Sequence, residues 1–233
     1  MNGNTDTGPG AERLFEAGAH FAHMKSRRHP SMRPFVVGAK SRVEIFDLMK
    51  TDEQIIAAKK AMETLAKDGK TVLFVGGKKE ISLLVKNAAL LIGAPYVSTR
   101  WLGGAISNFT EIKKRIDRLA DLLEKRESGE LAKLYTKLER VRIDREIERL
   151  IVRLDGIAAL AKLPNALVIV DTKHETSATK EARSAGIPVI GIMSSDCNVA
   201  DADYPIVAND ASRATVALVL DELTAAFQAG RAA

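Results

Sequence analysis

Thr71-Val-Leu-Phe-Val-Gly-Gly-Lys-Lys79 runs without charge as far as Val75, stops on two glycines and then meets two lysines. A strand wetted on one face alternates apolar with polar residues. A continuous apolar run is the pattern of a strand buried on both faces, as in a parallel sheet. Ile81–Ile92 continues as a helix closed by Gly93. Upstream, Thr51 can cap a helix that reaches about Lys67, with Gly69 just past its end. Downstream come a brief strand at Tyr96–Ser98, a strand at Ala166–Val170, and a helix over Thr176–Ala185 stopped by Gly186. Strands at Pro188–Ile192 and Tyr204–Val207 and a closing helix over Ser212–Gln228 complete the series. This alternation predicts an α/β fold: a Rossmann-like parallel sheet flanked by helices.

The two halves of that pattern are separated by a different kind of sequence. Between Glu111 and Asp155 there are thirteen basic and eleven acidic residues and no strand signal. Apolar residues recur at spacings of three and four: Ile112, Ile116, Leu119 and Leu123, then Leu131, Leu134 and Leu138, and after a phase shift Ile147, Leu150, Leu154 and Ile157. Such spacing predicts a coiled-coil seam. Ser128-Gly129 is the expected turn, which makes residues 110–156 an α-helical hairpin inserted into one discontinuous domain, residues 11–109 and 157–230. A hairpin with a self-satisfied seam should be removable without loss of the α/β body.

Residues 1–10, MNGNTDTGPG, read as a disordered tip, followed by a short helix around Glu12 to Ala17. From there to Glu44 the charge is one-sided. Between Glu16 and Glu44 lie 27 consecutive residues without an acid, and they hold Lys25, Arg27, Arg28, Arg33, Lys40 and Arg42 together with His20, His23 and His29. Pro30 and Pro34 break any continuous helix there, and short strands are expected at Phe35–Val37 and Val43–Phe46. Charge runs are usually of mixed sign and solvated; an acid-free run is better explained by contact with phosphate.

The chain has 233 residues, 46% hydrophobic, with a formal charge of +5, which suits a globular domain that can take a polyanionic partner. Aromatics are only 5%, which disfavours a surface made of base-stacking platforms. Cys197 is the single cysteine, so no disulfide framework exists. No signal or transit pattern precedes the helix, and no apolar run approaches the roughly 20 residues that span a bilayer. A reducing cytoplasm is the expected compartment.

Three constellations could carry chemistry. The turn Gly76-Gly77-Lys78-Lys79 follows a strand and opens a helix, a place where backbone amides attract phosphate. It lacks the spacing of either nucleotide-binding glycine motif. A small α/β nucleotide-binding enzyme using this turn is the alternative reading. Asp171, His174 and Glu175 follow a strand end, where α/β enzymes place catalytic groups; no nucleophile elbow accompanies them, and capping of the next helix is the simpler account. His20 and His23, with Asp196, Cys197, Asp201, Asp203 and Asp210, offer metal-ligand chemistry at a spacing that fits no standard site. No catalytic residue, metal or cofactor is therefore expected.

Several stretches resemble the bacterial small-subunit ribosomal protein S2 family. They are Glu16-Ala-Gly-Ala-His20-Phe-Ala-His23 leading to His29-Pro-Ser-Met-Arg-Pro34, Val43-Glu-Ile-Phe-Asp47, Leu73-Phe-Val-Gly-Gly-Lys-Lys79 and Arg100-Trp-Leu-Gly-Gly104. In the second half they are Leu163-Pro-Asn-Ala-Leu-Val-Ile-Val-Asp171, Lys180-Glu-Ala182, Gly186-Ile-Pro-Val189 and Asp203-Tyr-Pro-Ile206 with Asn209-Asp210. The resemblance implies a flavodoxin-like sheet with an inserted coiled-coil hairpin, no catalysis, and a place at the head/body junction of the small ribosomal subunit. It implies small-subunit rRNA and neighbouring ribosomal proteins as partners, including the large messenger-binding one, with no membrane and no homo-oligomer. On this reading the RNA-binding residues are Lys25, Arg27, Arg28, Arg33, Lys40, Arg42, Lys78, Lys79, Arg100, Trp101, Lys113, Lys114, Arg115 and Arg118. The chain departs from the family's pattern at Thr172, Val199 and Val207, where proline is common, and at Ser194 and Asn198, where acids are common.

Overall fold

A computed structural model describes residues 9–158, 160 and 162–232. Most of the tip expected at residues 1–10 lies outside these. Pro9 and Gly10 open the first helix, α1 (Pro9–Glu16). Then come β1 (Phe21–Met24), β2 (Val36–Lys40), β3 (Val43–Phe46), α2 (Leu48–Lys67), β4 (Val72–Val75), α3 (Ser82–Leu91) and β5 (Tyr96–Val97). A helical excursion follows: α4 (Phe109–Glu127), α5 (Glu130–Leu134) and α6 (Lys137–Leu154). The chain ends with β6 (Ala166–Val170), α7 (Thr176–Ser184), β7 (Val189–Met193), β8 (Tyr204–Val207) and α8 (Arg213–Ala232).

The main sheet is ordered β5-β4-β6-β7-β8, and every pair in it is parallel. Counted within the sheet this is the doubly wound order 2-1-3-4-5, whose topological switch lies between β4 and β6. The apolar runs sort by alternate residues onto two faces. Val72, Phe74, Val168, Val170, Ile190 and Ile192 face α2, α3 and α8. Leu73, Val75, Leu167, Ile169 and Val189 face the other way, towards α7 and the excursion. Nearly all have 0–2% exposure, so each contributes about 1.5–3 kcal/mol of transfer free energy.

The second face is where the structure departs from the expectation of a detachable hairpin. Ile112, Leu119 and Leu122 of α4 and Ile147 and Leu154 of α6 belong to one apolar cluster with Leu73, Val75 and Ile169 of the sheet. Gly156 returns the chain so closely against β5 that a Cβ there would collide with the Tyr96 carbonyl. The far end is different. Leu134 and Leu138, expected in the seam, are 64% and 63% exposed. The turn falls at Ser128-Gly129 as expected, with Gly129 left-handed at φ +72°, but a second break at Tyr135-Thr136 separates α5 from α6.

The acid-free segment forms a second, antiparallel sheet of order β1-β3-β2. Its strand β1 carries no apolar alternation and was not expected. The segment caps the carboxyl ends of β7 and β8: Met32 and Phe46 pack against Met193, Cys197 and Val207. His29 N–H donates to the Ser195 carbonyl at 2.8 Å, and His23 N–H to Ser195 Oγ at 3.1 Å. Asp47, not Thr51, caps α2, accepting from Met49 N–H at 3.2 Å. Thr51 is buried one turn later and donates to the Val207 carbonyl at 2.7 Å.

If the base of the excursion is core and its far end is not, two truncations should differ. Ile147→Ala should lower unfolding free energy by about 2–5 kcal/mol in urea titrations, and Leu138→Ala by no more than about 0.5 kcal/mol. Equal effects would mean that the second face of the sheet does not depend on α6.

Candidate nucleic-acid interface

In a doubly wound sheet, ligands bind outside the carboxyl ends of the strands at the switch point. Here that crevice is bounded by Gly76-Gly77-Lys78 after β4 and by Asp171 after β6. The chain fills it with its own charges. Glu175 is buried and its Oε1 accepts the Gly77 N–H at 3.0 Å, the amide that would otherwise face a phosphate. Gly77 is required, because a Cβ would lie 2.8 Å from that same oxygen and closer still to the Thr99 carbonyl. Lys78 forms an ion pair with Asp171, and its ammonium lies 3.6 Å from Asp210. Asp171 holds a left-handed backbone at φ +63° and accepts from the N–H groups of Lys173 and His174, each at 3.0 Å, so it caps the turn into α7.

One cation between two carboxylates leaves one of them short. Burial raises the Asp171 carboxyl, but the Lys78 ammonium and the His174 amide outweigh it and hold that carboxyl below its ordinary value. Asp210, buried and beside ionised Asp171, is pushed up to about 7 although Lys78 opposes the rise. Neither of its oxygens has a hydrogen-bond partner among the described residues. Burial lowers Lys78 but Asp210 and Asp171 outweigh it, so its ammonium is held above the ordinary range. The Asp171, Cys197 and Asp210 ligand atoms lie within 4.8 Å of one another, a grouping that could hold a metal. Burial next to Asp171 pushes the Cys197 thiol up to about 12, which makes it a poor ligand and no nucleophile, and Lys78 already supplies the cation. His20 stands apart, stacked on Phe15 at 4.4 Å.

The basic residues divide into two groups. Arg28 pairs with buried Glu44 at 2.7 Å, Arg27 with Asp196 at 3.2 Å, Lys114 with Glu111 at 2.6 Å, and Arg118 with Asp121 and Glu146 at 3.6 and 3.7 Å. With Lys78, these have partners inside the protein. Lys25, Arg33, Lys40, Arg42, Lys79, Arg100, Lys113 and Arg115 are exposed, and none of them has an ion pair among the described residues. Arg42 sits at the tip of the β2–β3 hairpin, where Ser41 and Arg42 take φ +50° and +71°, a two-residue turn that ordinarily selects Asn-Gly.

Trp101 is not a stacking platform. It is 6% exposed, and its indole N–H donates to Glu181 Oε1 at 3.1 Å. Glu181 is the residue that sequence reasoning passed over. Its two oxygens also accept the N–H groups of Gly104, Ile106 and Ser107 at 2.9, 3.0 and 3.1 Å and the Ser107 hydroxyl at 3.2 Å. One carboxylate on α7 thus pins the loop that launches α4. Burial raises its carboxyl, and the donors of Gly104, Trp101, Ile106 and Ser107 outweigh burial and hold it below the ordinary value. Asp196 has a similar anchoring role, gathering Arg27, Lys173 and His23 at 3.2, 3.0 and 3.5 Å.

Two pH-dependent outcomes follow from these carboxyls. A lowered folded pKa contributes stability above the unfolded value of about 4.3 that is lost as pH falls through the folded value. Glu181→Gln should therefore cost about 1–3 kcal/mol at pH 7, and the gap to wild type should close below about pH 4, read as urea midpoints. Asp210 has the opposite sign. The folded state keeps its proton to higher pH than the unfolded chain, so wild-type stability should decline from about pH 4 to about 7. Asp210→Asn should flatten that decline, and parallel curves for the two proteins would show that Asp210 is ionised throughout.

Comparison with known proteins agrees with this geometry. The family described as Ribosomal protein S2 matches residues 14–230. The chain is 39% identical over 220 residues to the small ribosomal subunit protein uS2 of Coprothermobacter proteolyticus, covering 94% of this chain and 82% of that one. It is 40% identical over 218 residues to uS2 of Prochlorococcus marinus, covering 94% of each. It is 39% identical over 217 residues to uS2c of Rhodomonas salina, covering 93% and 89%. A match of this length and identity, on a sheet whose ligand crevice is closed by its own carboxylates, settles the relationship: the chain belongs to the ribosomal protein S2 family.

Proposed function

We propose that this chain is a structural constituent of the small ribosomal subunit that binds rRNA through the exposed cations of its acid-free segment and is not an enzyme. Membership of a family of ribosomal proteins supports the role in translation. The observation that carries the surface assignment is electrostatic. Lys40 and Arg42 on the β2–β3 hairpin, and Lys25 and Arg33 on the short turns between β1 and β2, are exposed in a segment that is itself anchored to the main body, and none of them has an ion pair among the described residues. Lys79 and Arg100 extend this set, while Lys113 and Arg115 on α4 add long-range attraction without direct phosphate contact. Arg27, Arg28, Lys78, Lys114 and Arg118 have internal partners and Trp101 is buried, so their part in RNA binding is to hold the surface in shape.

The excursion is read as the family's inserted coiled-coil hairpin, residues 110–156 within a body made of 11–109 and 157–230. Packing of α4 on α6 and the left-handed turn at Gly129 support this. A second surface suits a protein neighbour. Phe15, Phe21, Val37 and Met49 are 61%, 50%, 71% and 49% exposed around one apolar groove, the kind of patch a soluble monomer seldom leaves open. The large messenger-binding ribosomal protein is the partner proposed for it. No helix among the described residues is long and apolar enough to cross a membrane.

Replacing Arg33, Lys40 and Arg42 together by glutamine should weaken incorporation into small subunits that lack this protein. The log–log dependence on salt should flatten by about two to three units, while the thermal midpoint stays put. Arg28→Glu is a poor probe, since it sets an acid against buried Glu44. Calorimetric titration with ATP, GTP or NAD should give no saturable heat; a dissociation constant below about 10 μM would favour the nucleotide-binding alternative.

A further inference from the structure

The excursion carries two sets of cations, and they are not equivalent. On α4 three of the six cations are answered from within: Lys114 by Glu111, Arg118 by Asp121 and Glu146, and Lys125 by Asp121. On α6, Arg142, Arg145, Arg149 and Arg153 are all exposed, and none has an ion pair among the described residues. At 100° per residue they fall within an arc of about 80° and run about 16 Å along the helix. That arc lies opposite the face on which Ile147 and Leu154 are buried.

We propose that this arginine face docks the phosphate backbones of double-stranded rRNA, so that α6 rather than α4 is the side of the excursion presented to RNA. The proposal rests on the rRNA-binding reading given above. All four residues are arginine, whose planar fork holds phosphate oxygens in pairs where lysine offers a point charge. The segment from Lys137 to Leu154 has no aromatic residue, so an unpaired base finds no aromatic platform there, and four guanidinium groups set along one line suit contact with successive backbone phosphates. An acidic protein is the competing partner. Protein interfaces place apolar groups at the centre and charge at the rim. This face does the reverse, with arginines central and exposed Val141 and Val152 along one margin.

The test compares two full-length variants that each lose four positive charges: R142Q/R145Q/R149Q/R153Q, and Lys113, Lys114, Arg115 and Arg118 all changed to glutamine. Binding to protein-free small-subunit rRNA and to subunits lacking this protein is measured from low to high salt. The α6 variant should bind both at least tenfold more weakly, with the log–log slope flattened by about two to four units, and the α4 variant by less than one. A third variant, the same four arginines changed to lysine, keeps the charge and should keep the slope within about one unit, which guards against loss through misfolding. Equal effects of the two glutamine sets overturn the proposal. So does an α6 variant that binds naked rRNA like wild type but fails on subunits, the outcome a protein partner would give. If wild type itself shows no salt-dependent binding to rRNA, the rRNA reading fails and the stripe falls with it.

Discussion

A parallel sheet has two apolar faces and no means of its own to hide either, since its connections must run over them as helices. That constraint organises this molecule. One face is fully served by α2, α3 and α8. The other receives only α7 from the regular alternation, and five strands are wider than one helix of nine residues can cover. The remainder is closed by the lower parts of α4 and α6 and by the loop between β5 and α4. Glu181 makes this possible. Four backbone and side-chain groups of that loop and the Trp101 indole converge on one carboxylate, so an irregular segment can lie over a hydrophobic layer without stranding its amides. The excursion is therefore of two characters along its length, core below and solvated above.

The same fold that in many proteins opens a ligand crevice at the strand ends here closes it. Glu175 occupies the amide of Gly77, and Lys78 is divided between Asp171 and Asp210. A phosphate approaching this point would meet three carboxylates and a cation already engaged. The crevice works instead as a joint. Asp171 caps the turn that leads into α7, Cys197 lies against it, and the basic segment rests on the carboxyl ends of β7 and β8 just beyond. What would be an active site elsewhere is here the mount of a surface.

The sequence was most legible where local pattern and burial agree. The run from Ala166 to Val170 has the same bounds as a strand, and Gly93 and Gly186 stop their helices with φ +65° and +66°, conformations that other residues resist. It was least legible where partners are distant. Thr51 looks like a cap, yet its hydroxyl serves a carbonyl 156 residues away. Leu134 and Leu138 keep the seam spacing but stand beyond the reach of the cluster that would bury them. Trp101 beside Arg100 has the look of a nucleic-acid contact, and only Glu181, 80 residues on, turns it inward. Of the basic residues, no periodicity separates Arg28 from Arg33, because the buried carboxylate that claims one and not the other is set by β3 in the folded sheet.

The hairpin tip at Ser41 and Arg42 holds backbone strain in the free chain. Two side-chain-bearing residues in left-handed conformations cost about 1–2 kcal/mol each, a burden that Asn-Gly would remove at once. The same exchange would remove the guanidinium that the turn holds in solvent. Thermal robustness and surface charge are therefore in opposition at this tip, and a variant relaxed there carries one cation fewer.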